Sequence, residues 1–174
     1  EVEKKLYIRA SVGGVHVLRD TLVRCLGLER DQVVALSEDV GGSFGAKNHP
    51  YPEYVMAAAI SRMMKRPVRW VASRSEDGHT TGQAHAAELD LEIASDGDGR
   101  LMALRGQITW TVGAYLGRGA FQENSMAAHA MSAYRLPAFD MQVVPRQSDT
   151  PPAAFIRGGG RPVGNFGVER MMDR

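Results

Sequence analysis

The sequence predicts an α+β chain: a layered α/β lobe with a mixed sheet, followed by a long antiparallel hairpin. Three observations carry this. Residues 5–72 run strand, helix, strand, turn, helix, strand, the order of a layered α/β arrangement. Leu89, Leu91 and Ile93, then Met102, Leu104, Ile108, Trp110 and Val112, alternate with polar residues around Asp96-Gly97-Asp98-Gly99, which reads as a hairpin with one apolar face. The 174 residues, 44% hydrophobic, supply one ordinary core's worth of apolar side chains.

Taken in order, residues 5–10 alternate around Tyr7 and Ile8 and suit a short strand. Residues 11–14 form a turn. Val15, Leu18, Leu22, Cys25 and Leu26 then recur at helical spacing, which places Cys25 on the buried face, and Gly27 ends the helix. Residues 32–36 are a β-branched strand that leads into Val40-Gly41-Gly42-Ser43-Phe44-Gly45-Ala46-Lys47-Asn48. Pro52 fits the first turn of a helix carrying Val55, Met56, Ala59, Ile60 and Met63. Met63-Met64 and Met171-Met172 read as core and helix residues. Residues 68–72, with Trp70, predict another strand. Residues 73–83 are polar, a loop or short helix, and the natural divide between sub-lobes 1–82 and 83–174. Beyond the hairpin, residues 113–119 are glycine-rich and include Tyr115 and Arg118. A helix is predicted over 124–133, a strand over 139–144, a loop over 145–152 and a helix over 163–174.

Composition excludes several classes. A net charge of +1 gives no electrostatic footprint for nucleic acid or a membrane surface. The longest apolar run, residues 55–60, is too short to span a bilayer. One cysteine, Cys25, forms neither an intrachain disulfide nor a cysteine metal cluster. His16, His49, His79, His85 and His129 include no i, i+4 metal pair, so no metal ligand is assigned. The acidic pairs Glu38-Asp39 and Glu76-Asp77 read as solvated loop charges. The first and last residues both read as cut from a longer polypeptide.

Two glycine clusters carry the chemistry. In the first, Gly41, Gly42 and Gly45 let a backbone approach a ligand, and successive N–H groups form a concavity for an anionic or oxo group. Ser43 adds a hydroxyl and Phe44 a single aromatic wall. The plain alternative is a tight strand-to-helix turn. A nucleotide P-loop fails because Gly45-Ala46-Lys47-Asn48 lacks the magnesium-binding hydroxyl, and no Gly-x-Gly-x-x-Gly fits either cluster. In the second, Ala154-Phe155-Ile156-Arg157-Gly158-Gly159-Gly160-Arg161-Pro162, a guanidinium stands beside bare backbone, a means of gripping a phosphate or polar heterocycle. The plain alternative is a glycine loop with two solvated arginines. Both clusters precede helices, and the expectation is that they line one cleft, with Phe44 and Arg157 within one pocket's breadth.

The residues also carry a family resemblance. Residues 39–47 resemble the glycine–phenylalanine loop in the large, molybdopterin-binding subunit of the molybdenum hydroxylases: xanthine dehydrogenase, aldehyde oxidase and aerobic carbon monoxide dehydrogenase. Lys65-Arg66-Pro67-Val68-Arg69-Trp70 with Arg74-Ser75-Glu76-Asp77, then Gly113-Ala114-Tyr115, fit the family's following segments. Residues 157–162 with Glu169-Arg170-Met171-Met172-Asp173 resemble its second cofactor loop.

The match runs in order over nearly the whole chain and implies an internal fragment, residues 1–174, of the molybdopterin-binding domain. It implies a molybdenum–molybdopterin cofactor, in the dinucleotide form, and hydroxylation of aldehydes or N-heterocycles with oxygen from water. Iron–sulfur clusters and FAD would sit on other domains or subunits. Gly41, Gly42, Ser43, Phe44, Gly45, Arg157, Gly158 and Gly159 would bind the cofactor. The catalytic glutamate would lie downstream, so the fragment itself would be inactive. Localisation would be cytoplasmic, or periplasmic where a leader or partner carries a signal.

The sequence departs from the family at three positions. A glutamine common near the first helix is replaced at about Gly13. The substrate-binding glutamate of xanthine-type members is replaced by Asn48. The copper-binding cysteine of carbon monoxide enzymes is Gly158, which disfavours carbon monoxide oxidation. The first two motivate a catalytically degenerate binding module as one alternative; an unrelated α/β anion-binding domain is the other.

Overall fold

β1 (Leu6–Arg9) and β2 (Val33–Leu36) pair in parallel, Leu6 opposite Val33 and Arg9 opposite Leu36. A parallel pair needs a crossover, and α1 (Val15–Leu26) supplies it. The structure is a computed structural model that describes residues 5–84, 86–117 and 122–174. His85, and Arg118 of the glycine-rich stretch after the hairpin, lie outside the described residues. The chain divides into two units, Glu1–Thr81 and Gly82–Arg174.

In the first unit, Leu18 and Leu22 of α1 are fully buried with Val12, Val33 and Ala58. Gly27 caps α1 in the left-handed conformation with φ 61°, as its sequence position predicts. Cys25 does not join the core: it is exposed in the last turn, where the partly buried Leu26 closes the apolar stripe instead. α2 (Pro52–Met64) starts at the predicted proline. Its last turn projects past the core, so Met63 and Met64 are exposed and not core residues.

Residues 68–72 form no strand, contrary to their composition. Val68, Trp70 and Val71 suit a pleated surface, but a strand requires a ladder partner, and β1 is separated from residues 67–70 by a groove of about 710 Å³. Residues 74–80 are helical (α3, Arg74–Thr80), started by a capping box in which Ser73 Oγ accepts from Glu76 N–H and Glu76 accepts from Ser73 N–H. Glu76 is therefore a capping residue.

In the second unit, β3 (Ala87–Ser95) and β4 (Leu101–Gly113) form the predicted hairpin. β5 (Ala138–Gln147) joins β4 in parallel, giving the order β3–β4–β5. The sheet is mixed and the chain α+β. β5 runs through Pro145 into the predicted loop, because that residue can stand on an edge strand. Leu104, Ile108, Trp110 and Val112 face inward, and Ile108 and Trp110 are fully buried with Met126. α4 (Glu123–His129) is shorter than predicted, and α5 (Arg161–Met172) begins two residues earlier. α5 packs closely: a Cβ on Gly167 would stand 2.5 Å from Leu89 Cδ2.

Candidate functional site

The first loop leaves β2 at Leu36 and is held from outside and within. Ser37 Oγ donates to Val12 O at 2.7 Å. Five residues take positive φ: Asp39 (51°), Gly41 (69°), Gly42 (101°), Phe44 (49°) and Gly45 (106°). The turn closes through Ala46 N–H to Ser43 O at 3.0 Å and Asn48 N–H to Gly45 O at 3.1 Å. Lys47 points its ammonium back into the loop, donating to Ser11 Oγ at 2.9 Å and to Val40 O. That amine is a brace and does not reach outward as a P-loop lysine would. The start of α2 is pinned to the same loop through Tyr51 Oη, which donates to Ala46 O at 2.6 Å, and to the turn after β1 through Tyr54 Oη, which donates to Ser11 O at 3.3 Å. Burial, then the neighbouring Tyr51 and Glu53, raise the Tyr54 pKa, so Tyr54 stays a neutral donor.

This bracing leaves a specific surface. Among the described residues, the N–H groups of Gly41, Gly42 and Gly45 donate to no protein acceptor. Ser43 differs: its hydroxyl donates to Asn48 Oδ1 at 3.1 Å and accepts from Lys47 N–H at 3.3 Å. Phe44 is 67% exposed, and its ring edge lies beside Gly42, where a Cβ would stand 3.0 Å from Phe44 Cε2. The two departure positions are neighbours, since a Cβ on Gly13 would stand 3.1 Å from Asn48 Oδ1.

The second loop is a turn over Arg157–Gly160 that delivers the chain into α5. Gly159 N–H donates to Ile156 O at 2.8 Å and Arg161 N–H to Gly158 O at 3.3 Å. Gly158, Gly159 and Gly160 have φ of 106°, 53° and 84°, a run that side-chain-bearing residues adopt only with strain. A Cβ on Gly158 would lie 2.8 Å from the Pro162 ring, and one on Gly160 would lie 2.9 Å from Met126 Cγ. Arg157 and Gly158 are exposed.

Gln122 adds a polar group that the sequence reading missed. It is fully buried, and its Nε2 donates to Ala154 O at 3.2 Å, just ahead of the second loop. Its Oε1 is buried without a partner among the described residues. The only sequence signal is a glutamine directly before a helix start. Glu169 on α5 is likewise engaged, accepting from Ser132 Oγ at 2.9 Å and Tyr134 Oη at 2.7 Å. Thus the structure brings Gly41, Gly42, Ser43, Phe44 and Gly45 together in one turn of the first unit, and Arg157, Gly158 and Gly159 in one turn of the second. No cluster of three His, Cys, Asp or Glu side chains fit to hold a metal occurs among the described residues. No helix among them is long and apolar enough to cross a membrane.

Comparison with known proteins identifies the family. Residues 1–174 match the molybdopterin cofactor-binding domain family. The chain is 32% identical to the gamma subunit of the 6-hydroxypseudooxynicotine dehydrogenase complex of Paenarthrobacter nicotinovorans, over 91% of this chain and 20% of the relative. It superposes on quinoline 2-oxidoreductase of Pseudomonas putida 86 with a TM-score of 0.90 at 26% identity, over 98% of this chain and 22% of that one. On the aldehyde oxidoreductase of Desulfovibrio gigas the TM-score is 0.92 at 25% identity, over 99% of this chain and 19% of that one. The chain therefore spans about a fifth of the length of such relatives. These matches, and the two glycine turns they run through, place the chain in the molybdopterin cofactor-binding family of the molybdenum hydroxylases.

Proposed function

We propose that this chain supplies part of the molybdenum–molybdopterin site of a longer subunit that hydroxylates aldehydes or N-heterocycles. The observation that carries this is the first loop, a braced turn whose Gly41, Gly42 and Gly45 amides have no protein acceptor among the described residues. Such amides suit the anionic and oxo groups of a pyranopterin cofactor. The buried Gln122 Oε1, without a partner among the described residues, suits an N–H donor. When bound, the cofactor supplies the metal-centred oxidation that no protein side chain provides. The chain's own residues bind and orient: the Gly41–Gly45 backbone in the first unit and Arg157, Gly158 and Gly159 in the second, with Phe44 as a wall for the substrate.

The dinucleotide form of the cofactor and electron transfer to iron–sulfur and flavin partners are part of this reading. The relatives favour the substrate class: one is a quinoline 2-oxidoreductase and another an aldehyde oxidoreductase. Gly158 in place of a copper-binding cysteine argues against carbon monoxide as substrate. Gly13 and Asn48 favour the second reading, a binding module without catalysis. Purified full-length subunit, with its partners, should contain molybdenum and releasable pterin in near-stoichiometric amounts and oxidise quinoline-type or aldehyde substrates. Metal and pterin without turnover on either class would favour the binding module; neither metal nor pterin would overturn both readings.

A further inference from the structure

The groove of about 710 Å³ in the first unit separates two strand-like edges that lack a partner. One wall is β1. Ala10 N–H donates to Leu36 O at 3.1 Å, and in a parallel ladder the residues that face the neighbour alternate. Leu6, Ile8 and Ala10 therefore turn their backbone groups to β2, and Tyr7 and Arg9 turn theirs to the groove. Among the described residues the backbone groups of Tyr7 and Arg9 have no partner. The opposite wall is residues 67–70, part of the stretch whose composition predicts a strand over 68–72, and among the described residues that stretch pairs with no strand. The floor is α2, where Ala57, Ala58 and Ser61 present small side chains. Glu53 Oε2 is buried in the same lining without a hydrogen-bond partner.

We infer that this groove is a slot for one β-strand, supplied by a part of the same subunit outside residues 1–174. The inference rests on the proposed longer subunit, of which this chain would be about a fifth if its length is that of its relatives. A strand laid beside β1 pairs the outward groups of Tyr7 and Arg9, and gives residues 68–72 the ladder partner they lack. Alternate side chains of the added strand fall on Ala57, Ala58 and Ser61, where small residues leave room for large apolar ones. A donor on that strand, a basic or amide side chain, satisfies Glu53 Oε2. Tyr7, 67% exposed, and Trp70, 39% exposed, then flank the new strand as cross-strand neighbours. The volume also lies within the range of small-molecule pockets. Bare strand edges on two sides favour a strand, because a row of unpaired backbone groups is a template for another backbone.

Photo-crosslinking and hydrogen exchange on the full-length subunit test this. With p-benzoylphenylalanine in place of Tyr7, irradiation should give one dominant crosslink to a contiguous segment of the same polypeptide outside residues 1–174. The amides of Tyr7 and Arg9 should exchange at least about a hundredfold slower than unstructured amides. Arg9→Pro removes the outward donor and spares the β2 ladder, so it should speed exchange at Tyr7 and lower the melting temperature. Rapid exchange of both amides in the unmodified subunit overturns the inference. So does a dominant crosslink within residues 1–174, to a second copy or to another subunit, or a small molecule found retained in the groove. If Arg9→Pro does not fold, exchange and crosslinking on the folded protein still decide. Molybdenum content of the same sample separates this outcome from the functional reading: protected amides without metal would keep the slot and remove the proposed function.

Discussion

Gly158 and Phe44 show how differently two loop residues can be constrained. Gly158 has φ 106°, and its missing Cβ would collide with the chain's own Pro162 ring at 2.8 Å. Gly158→Val should therefore strain the loop by about 1–3 kcal/mol before any ligand is considered. Adding Pro162→Ala relieves the collision but not the φ. If the double variant recovers stability and still loses activity and molybdenum, the side chain at 158 obstructs the cofactor or substrate. If activity returns with stability, the glycine is needed by the fold alone. Phe44 is exposed, so Phe44→Ala should cost about 0.5 kcal/mol or less, against about 3–5 kcal/mol for truncating a buried aromatic such as Trp110. Melting curves with steady-state kinetics on the full-length subunit check both, and a large melting shift with full specific activity for Phe44→Ala would make Phe44 a packing residue. The glycines and the exposed ring were legible in the sequence because a dense glycine run around one aromatic has few local explanations. The roles of Lys47 and Ser43 were not. Their partners, Ser11 and Asn48, depend on how the loop folds back, which no spacing rule encodes.

At the scale of the element, α3 shows local sequence deciding a structure that composition left open. Ser73 and Glu76 satisfy each other's backbone donors, and this alone starts a seven-residue helix. The Ser73 backbone N–H, then its hydroxyl, hold the Glu76 carboxyl below its ordinary value of 4.5. A depressed folded pKa means that the stabilising contribution is present above pH 4.5 and is lost as pH falls through the lower folded value. A carboxyl titration by nuclear magnetic resonance should therefore give Glu76 a midpoint below 4.5. Ser73→Ala should raise that midpoint only in part, because the backbone donor remains, while loss of the cap side chain costs about 1 kcal/mol. An unshifted midpoint in the parent would mean that the box does not form in solution. The strand expected over residues 68–72 failed for the opposite reason. Strand formation is settled by a partner distant in sequence, and Val68, Trp70 and Val71 can specify only a tendency. The β3–β4 hairpin was legible because its partner lies a few residues away across Asp96-Gly97-Asp98-Gly99.

At the scale of the whole molecule, each unit has its own buried core, and large apolar side chains also stand exposed on both. Tyr7, Met56, Ile60, Trp70 and Val71 are all exposed in the first unit, and Leu116 and Phe166 in the second. The hydrophobic cores were readable from periodicity. The bare faces were not, because an apolar residue facing water looks the same in sequence as one facing a core. The family resemblance puts the catalytic glutamate downstream of these residues, and the proposed cofactor site draws on two loops of this chain. The isolated 174-residue chain should therefore fail to turn over any aldehyde, purine or quinoline, even when supplied with molybdopterin cofactor. It should also self-associate at micromolar concentration, by light scattering, where the full-length subunit with its partners does not. A monodisperse 174-residue monomer would show that the exposed apolar faces need no cover from the rest of the subunit. Turnover by that chain would show that the acid–base chemistry resides within it, and the search for the catalytic carboxylate would move to its own Asp and Glu residues.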